Sequence, residues 1–418
     1  MRCFPWLMFF FVVSPIFAAE PPNVLMIVGD DWGWTDFGFM GHPEIKTPHL
    51  DRLAKEGVLF PNGYTPTSLC RASLATILTG QFAHEHRICC NDPPAGIDRD
   101  EMLPFLKNAP ALPRLLQDRK YQSFQTGKFW EGPFQNGGFT HGMTTKGRHG
   151  EEGLVIGRQT LEPIHDFITK STGPWFVWYA PMMPHEPHTP PERILKKYAK
   201  EGRDPRLAKY WAMCEWTDET VGELLKWLEE KKLRDNLLIV FVVDNGWVQS
   251  TGPVKKGDQF ETRSKNSAYD AGVRTPIILH GKMIGKRQRR EELVSTVDLA
   301  PTIIDVCGVE SKPKMSGESL MALLNGTSKR DRNKVFGEIY LHTAATLKDP
   351  QVNLTHRWVR HREFKLILPT VKDSTPELFD IVKDPMEKTD LAASHPEKVA
   401  ALTKILMDEW NGWPTKKP

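Results

Sequence analysis

Two acidic pairs and one cysteine are the residues of this 418-residue chain with the chemistry to act together. The run N-V-L-M-I-V (Asn23 to Val28) ends in Gly29, Asp30 and Asp31, and L-L-I-V-F-V-V (Leu237 to Val243) ends in Asp244, Asn245 and Gly246. A continuous apolar run suits a strand buried on both faces, and ligands of open α/β sheets gather at the carboxyl ends of strands. One such pair alone reads as a loop cap; two of them, with a cysteine between, point to oxygen ligands converging on one hard cation. The cysteine is Cys70, in T-P-T-S-L-C-R-A-S-L-A-T-I-L-T-G from Thr65 to Gly80. Thr67 or Ser68 as cap, Leu74, Ile77 and Leu78 as an apolar stripe, and Gly80 as stop predict a helix with Cys70 in its first turn. Unpaired N–H groups and the positive end of the helix dipole favour an anionic nucleophile or ligand there. Taken alone, this stretch reads first as a core helix carrying a small buried cysteine.

The elements that must position these groups alternate along the chain. A helix is expected from Pro48 to Glu56, with Thr47 as cap and Gly57 as stop, and another from Leu112 to Arg119. A strand from Gln122 to Thr126 delivers Gly127 and Lys128. A strand from Trp175 to Tyr179 leads into P-M-M-P-H-E-P-H-T-P-P, whose prolines forbid helix and hold His185 and His188 on a stiff loop. A long helix, roughly Leu207 to Lys232, covers the sheet. Past Asn245 comes a loop rich in Gly and Lys, then K-N-S-A-Y-D-A-G-V-R-T-P from Lys265 to Pro276, then a helix stopped by Gly308. This alternation argues a parallel or mixed α/β sheet layered by helices. The large domain spans 20–326, and 327–418 reads as short antiparallel strands with a helix, about Pro396 to Trp410, across them.

Residues 23 to about 391 resemble a sulfatase of the formylglycine-dependent, alkaline-phosphatase-like superfamily. In that family a cysteine opening C-x-P-S-R-A-x-L-L-T-G is oxidised to formylglycine, the catalytic aldehyde. Setting Cys70 first brings Ser73, Leu78, Thr79 and Gly80 into register, while Ala72 replaces the proline and Leu74 the arginine. The resemblance implies that Asp30, Asp31, Asp244 and Asn245 ligate a metal, with Cys70 beside it, and their oxygen donors suit calcium. Lys128, in T-G-K-F-W, matches the lysine of the family's G-K-W-H. Lys265 matches the lysine five residues before an acidic position, here Asp270, and His185 in P-H-E-P matches the histidine near the ester oxygen. Two ammoniums and an imidazole offset the charge of a sulfate ester and stabilise or protonate its leaving alkoxide. His188 has no family counterpart and reads as a loop residue.

Trp130 stands where the family places the histidine that hydrogen-bonds the aldehyde hydrate, and an indole has one N–H donor and no basic nitrogen. Leu74, four residues after Cys70, lies on the helix face where the family's arginine would reach the hydrate. That arginine also belongs to the signature read by the maturing enzyme. Arg71 lies about 100° round the helix from Cys70. His84, His86 and His149 are the candidates for the vacant role. The implied activity is a sulfuric ester hydrolase acting on sulfated glycans or aryl sulfates, partnered by a formylglycine-generating enzyme. The alternatives are a non-catalytic binder of sulfated glycans and a phosphoester or phosphonate hydrolase on the same scaffold. The loops from Arg87 to Asp100 and from Trp130 to Gly153 are expected to line the pocket.

Lys+Arg of 55 against Asp+Glu of 52, a formal charge of +3, argues against nucleic acid or an anionic membrane surface as partner. Residues 1–19 read as a secretory signal, with Arg2, an apolar run from Phe4 to Phe17, then Ala18 and Ala19; the run is too short to span a membrane. A secreted or periplasmic protein is expected. Removing Cys3 with the signal leaves Cys70, Cys89, Cys90, Cys214 and Cys307, so at least one thiol is unpaired or modified. Cys89 and Cys90 could each pair elsewhere or bridge to one another.

Overall fold

The computed structural model describes residues 20–146, 149, 153–252, 259–310, 313–371 and 373–412, so the signal reading falls outside the described residues. The two apolar runs lie side by side at the centre of an eight-stranded sheet. Its strands are β1 (Asn23–Gly29), β2 (Val58–Phe60), β3 (Gln122–Gly127), β4 (His141–Gly142), β5 (Trp175–Ala180), β6 (Leu237–Val243), β7 (Ile277–His280) and β8 (Gln288–Arg289). They run in the order β4-β3-β5-β1-β6-β7-β2-β8. β1 pairs in parallel with β5 and β6, whereas β7 is antiparallel to β6 and β2, so the sheet is mixed. Register decides where the chemistry falls: Gly29 lies opposite Val243, so Asp30 and Asp244 leave the sheet as neighbours.

Both faces are covered, as the unbroken apolar runs require. Val24, Met26 and Val28 point into one core and Leu25 and Ile27 into another. Among the helices are α1 (Pro48–Glu56), α2 (Cys70–Thr79), α3 (Pro205–Glu230) and α4 (Leu299–Val306). α2 and α4 share the first core and α1 and α3 the second. Each fully buried Leu, Ile, Val or Phe in these cores contributes about 1.5–3 kcal/mol relative to its exposed state.

Three local expectations are corrected. Thr47 holds the N-cap position of α1 as expected, but its hydroxyl makes no capping bond, because it donates to the Asp51 carboxylate at 2.9 Å and accepts the Gly38 N–H. Neither Thr67 nor Ser68 caps α2; Leu69 holds that position, and the Arg71 N–H finds Asn91 Oδ1 at 3.0 Å. The helix expected from Leu112 to Arg119 is α-helical only over Leu112–Leu116 and tightens to a 3₁₀ turn over Gln117–Arg119. Gly80 ends α2 as expected, in the left-handed region at φ 64°.

After this domain, β9 (Lys334–Tyr340), β10 (Leu354–His361), β11 (Phe364–Pro369) and β12 (Glu377–Asp380) form an antiparallel sheet. The helix α5 (Pro396–Glu409) buries Leu402 and Leu406 against it. This sheet packs on the chain just before α2: the Trp358 indole donates to the Pro66 carbonyl at 3.1 Å. Cys70, Cys89, Cys90, Cys214 and Cys307 are all buried free thiols, so Cys89 and Cys90 form no bridge. Among the described residues no helix is long and apolar enough to cross a membrane.

Candidate active site

The ends of β1 and β6 bring Asp30, Asp31, Asp244 and Asn245 together, and α2 adds Cys70 from above. Ligand atoms of Asp30, Asp31, Cys70 and Asp244 all lie within 4.8 Å of one another. Asp31 sits in the left-handed region at φ 56°, sparse territory for a residue with a side chain. Its backbone N–H donates to Asp244 Oδ1 at 3.1 Å, and the Asn245 amide donates to its Oδ1 at 2.7 Å. Cys70 Sγ stands 3.9 Å from Asp31 Oδ1 and is 1% exposed. Ser73, one turn along α2, donates its hydroxyl to the Asp244 carbonyl at 2.5 Å and so ties the helix to the strand end.

Three further groups arrive from separate elements. Gly127 ends β3 at φ 70°, where a Cβ would lie 1.6 Å from the Ala180 carbonyl oxygen, so only glycine allows the turn that aims Lys128 inward. The Lys128 ammonium bonds the Asp30 carboxylate and stands 3.3 Å from Asp244 Oδ2. Lys265 Nζ reaches Asp31 Oδ2 at 2.6 Å. His185 Nδ1 donates to the Glu186 carbonyl at 2.7 Å, which turns Nε2 toward Asp31 Oδ2, 3.3 Å away.

Burial drives the electrostatics of this cluster. It raises Asp30, and it raises Asp244 to about 7, against the pull of Lys128 in both cases. It would raise Asp31 too, yet Lys265 and His185 hold that carboxyl well below the usual range. Burial pushes the Cys70 thiol up to about 12 and the His185 imidazole down to about 3, with Asp31 opposing the latter shift. The lysines lose solvation as well, but Asp30 keeps Lys128, and Asp31 keeps Lys265, above the ordinary lysine value.

These residues fit a divalent cation. Three carboxylates against two ammoniums leave one negative charge in a buried space. Asp30 Oδ2 and Asn245 Oδ1 are buried there without a hydrogen-bond partner, an arrangement that costs free energy unless something binds them. All four side chains can offer oxygen, the donor type of hard cations.

The departures from the family motif cluster together. Leu74 and Trp130 belong to one buried apolar group with Cys70, Ile88 and Phe129. Arg71 points away from the carboxylates: its Nε lies 2.6 Å from Glu131 Oε1 in a buried ion pair. Of the three histidines proposed for the vacant role, two are elsewhere. His84 stacks on Trp410 at 4.1 Å and bonds Glu338, and His86 is buried against Thr76. His149 is the one at the site, its ring 4.5 Å from Trp130 and 5.8 Å from His185. His188 packs between Tyr210 and Trp247.

Several positioning residues escaped the sequence reading. Arg158 donates to the carbonyls of Met182, His185 and Pro187 and so holds the proline-rich loop in shape. Asn91 receives the first-turn N–H of α2, and Glu387 binds both ends of the Lys265 loop, through the Arg263 guanidinium at 2.7 Å and the Asp270 N–H at 2.5 Å. None carries a local signal, because each acts on a partner distant in sequence.

Comparison with known proteins gives this arrangement its class. The family model described as Sulfatase matches residues 22–309, and the model of the N-sulphoglucosamine sulphohydrolase C-terminal region matches residues 260–411. The chain belongs to the sulfatase family. It is 26% identical to N-acetylgalactosamine-6-sulfatase of Homo sapiens, over 93% of this chain and 85% of that protein. It is 23% identical to an ulvan-active sulfatase of Formosa agariphila, over 88% of this chain and 77% of the relative. A solved structure in complex with its substrate D-glucosamine-2-N,6-O-disulfate superposes with a TM-score of 0.76 at 21% identity, covering 94% of this chain and 98% of that one. The chain is accordingly a sulfuric ester hydrolase of alkaline-phosphatase-like fold, and the binder and phosphonate readings are not favoured.

Proposed function

We propose that this enzyme cleaves sulfate esters of glycans with a nucleophile made from Cys70, and that calcium is its metal. The observation that carries the reading is the convergence of Lys128, Lys265 and His185 on three buried carboxylates that lie within 4.8 Å of one another and of the Cys70 Sγ. Asp30, Asp31, Asp244 and Asn245 would hold the metal, whose charge would polarise the ester and relieve the repulsion among the carboxylates. Formylglycine at position 70, when present as its hydrate, would supply an oxygen nucleophile where the thiol now sits.

The chain's own residues do the remainder. Lys128, on Asp30 and Asp244, and Lys265, on Asp31, are point charges that neutralise the sulfate oxygens as it enters. His185 keeps Nε2 directed at the site because Nδ1 is committed to the Glu186 carbonyl, so a proton taken up on Nε2 beside Asp31 is the one it gives to the leaving alkoxide. His149, beside both Trp130 and His185, takes the place of the family histidine. The apolar surroundings exclude water and strengthen every charge interaction. Sulfated polysaccharides or their fragments outside the cell are the expected substrates, in keeping with the export signal read in residues 1–19.

The mass of the peptide carrying Cys70, from protein made in its native host, tests the proposal together with turnover of sulfated saccharides. An aldehyde at position 70 with sulfate release supports it. An unmodified cysteine with no release from any ester would contradict it.

A further inference from the structure

Basic residues barely outnumber acidic ones in this chain, yet the run G-K-M-I-G-K-R-Q-R-R from Gly281 to Arg290 holds Lys282, Lys286, Arg287, Arg289 and Arg290 and no acid. Its end forms β8, the edge strand of the large sheet. Lys282 is spent on Asp235 and Arg290 on Glu292. Arg287 is exposed and makes no ion pair or hydrogen bond among the described residues.

Register aims what remains. β8 runs parallel to β2 with Arg289 opposite Leu59, and Leu59 points into the core shared with α1. Arg289 therefore lies on the α1 face, and so does Arg287, two residues and about 6.6 Å back along the strand. Across from them the last turn of α1 presents Lys55, exposed and equally without a partner. These three cations border one groove of about 470 Å³, floored by Phe39, Ala54 and Leu59. Gln288 and Arg290 turn their backbone N–H groups to the Gly57 and Leu59 carbonyls at 3.0 and 2.9 Å, which leaves the Arg289 N–H facing the open edge. The carboxylate on the groove, Asp51, is taken up by the Phe39 N–H at 2.8 Å and the Thr47 hydroxyl at 2.9 Å. Arg289 keeps only an exposed pair with Glu291, of the kind worth little in water. β7 and β2 separate β8 from β6, the strand that delivers Asp244, by about 14 Å across the sheet, so the groove stands apart from the strand-end acids.

Two guanidiniums and an ammonium suit oxyanions, which arginine binds in two-pronged fashion. An apolar floor beneath them suits the carbon face of a sugar ring. A concave groove admits a chain, whereas a bilayer meets a flat or projecting face. Basic residues also guard edge strands against pairing with other chains, but that role does not account for Lys55, which is on a helix.

We propose that Lys55, Arg287 and Arg289 form a remote docking groove for a sulfated polysaccharide, holding the polymer while its esters are cut at Cys70. The choice of a sulfated chain among anionic chains rests on reading the Cys70 pocket as the sulfate ester site. Tethering of this kind raises the effective concentration of esters without any new contact at the pocket. The test is calorimetry with heparin, heparin stripped of its sulfates and single-stranded DNA, on the wild type, on the combined variant Lys55→Ser, Arg287→Ser and Arg289→Ser, and on Lys128→Ala. In the combined variant heparin affinity falls at least about tenfold, the loss expected when charge-assisted contacts are removed, while Tm and turnover of 4-nitrophenyl sulfate stay at wild-type values. Lys128→Ala keeps most of the heparin affinity. A wild type that binds no heparin, or binds the stripped polymer or DNA as tightly, would overturn the proposal. So would a loss confined to Lys128→Ala, which would place all binding at the Cys70 pocket. Self-association of the combined variant with unchanged heparin affinity would show that the residues only guard the edge. If the wild type turns over no sulfate ester, the sulfatase reading fails separately, and the heparin affinities still decide the groove.

Discussion

Asp31 combines a left-handed backbone, a contact with Lys265 and a place among three carboxylates, so its substitution must preserve shape to be informative. Asparagine tolerates that backbone region better than alanine does. We expect calcium at about a hundred times its Kd to stabilise the wild type by about 2.7 kcal/mol, and Asp31→Asn or Asp244→Asn to abolish most of that gain. Melting curves with and without calcium check this; an equal calcium-induced rise in the variants would remove these residues from the metal site. His86 carries a different test. Its Nδ1 accepts the Ile88 N–H at 3.0 Å and its Nε2 bonds Thr76, so the neutral ring satisfies both partners, and burial pushes it down to about 3. The unfolded chain, with histidine near about 6.5, binds the proton first, so stability is lost as pH falls through this interval, by up to about 1.4 kcal/mol per pH unit. Urea midpoints of the wild type and His86→Gln between pH 7 and pH 4 should therefore converge with acid; parallel curves would show that this ring does not contribute.

At the scale of elements, the loop carrying Lys265 is held by the C-terminal sheet as well as by its own domain. Lys365 on β11 is fully buried between Asp270 at 2.8 Å and Glu387 at 3.0 Å, and Tyr269 bonds Glu377 on β12 at 2.8 Å. Removing one partner of a buried ion pair leaves uncompensated charge and costs about 3–5 kcal/mol. Lys365→Met should show that loss in its denaturation midpoint and should lower turnover by displacing Lys265; an unchanged midpoint would mean the network is dispensable. The strand-end acids were legible because an apolar run and the polar residues that end it are adjacent in sequence. Lys128, His185 and Lys265 were legible only through family resemblance, and the structure brings all three to the carboxylates. The clamps on their loops were not legible, since Glu387 meets Asp270 across 117 positions and Arg158 meets its carbonyls across 24 to 29. The cap expected for α2 and not found has the same origin. The donor exposed at the start of α2 is satisfied by Asn91, twenty positions on, so no local capping residue was needed.

The whole molecule behaves as one unit if these cross-domain contacts are as strong as their burial implies. Tyr64, Asp270 and Arg274 of the large domain share a buried polar network with Arg360 and Lys365 of the small one. We expect a single calorimetric transition, with van't Hoff and calorimetric enthalpies equal, and we expect a chain cut at residue 326 not to fold; two separated transitions would contradict this. The setting of α2 has a consequence in time as well as space. All ten of its residues are buried, and the Cys70 thiol faces inward toward carboxylates. On the proposal that Cys70 is oxidised to the nucleophile, the oxidising enzyme would have to reach a thiol that the finished fold buries. The window for making that nucleophile would then shut when the sheet and α2 dock, and folding rate would compete with maturation rate. A chain that folded early would be locked as the thiol for its lifetime, and the active fraction of a preparation would record the order of two events during its synthesis.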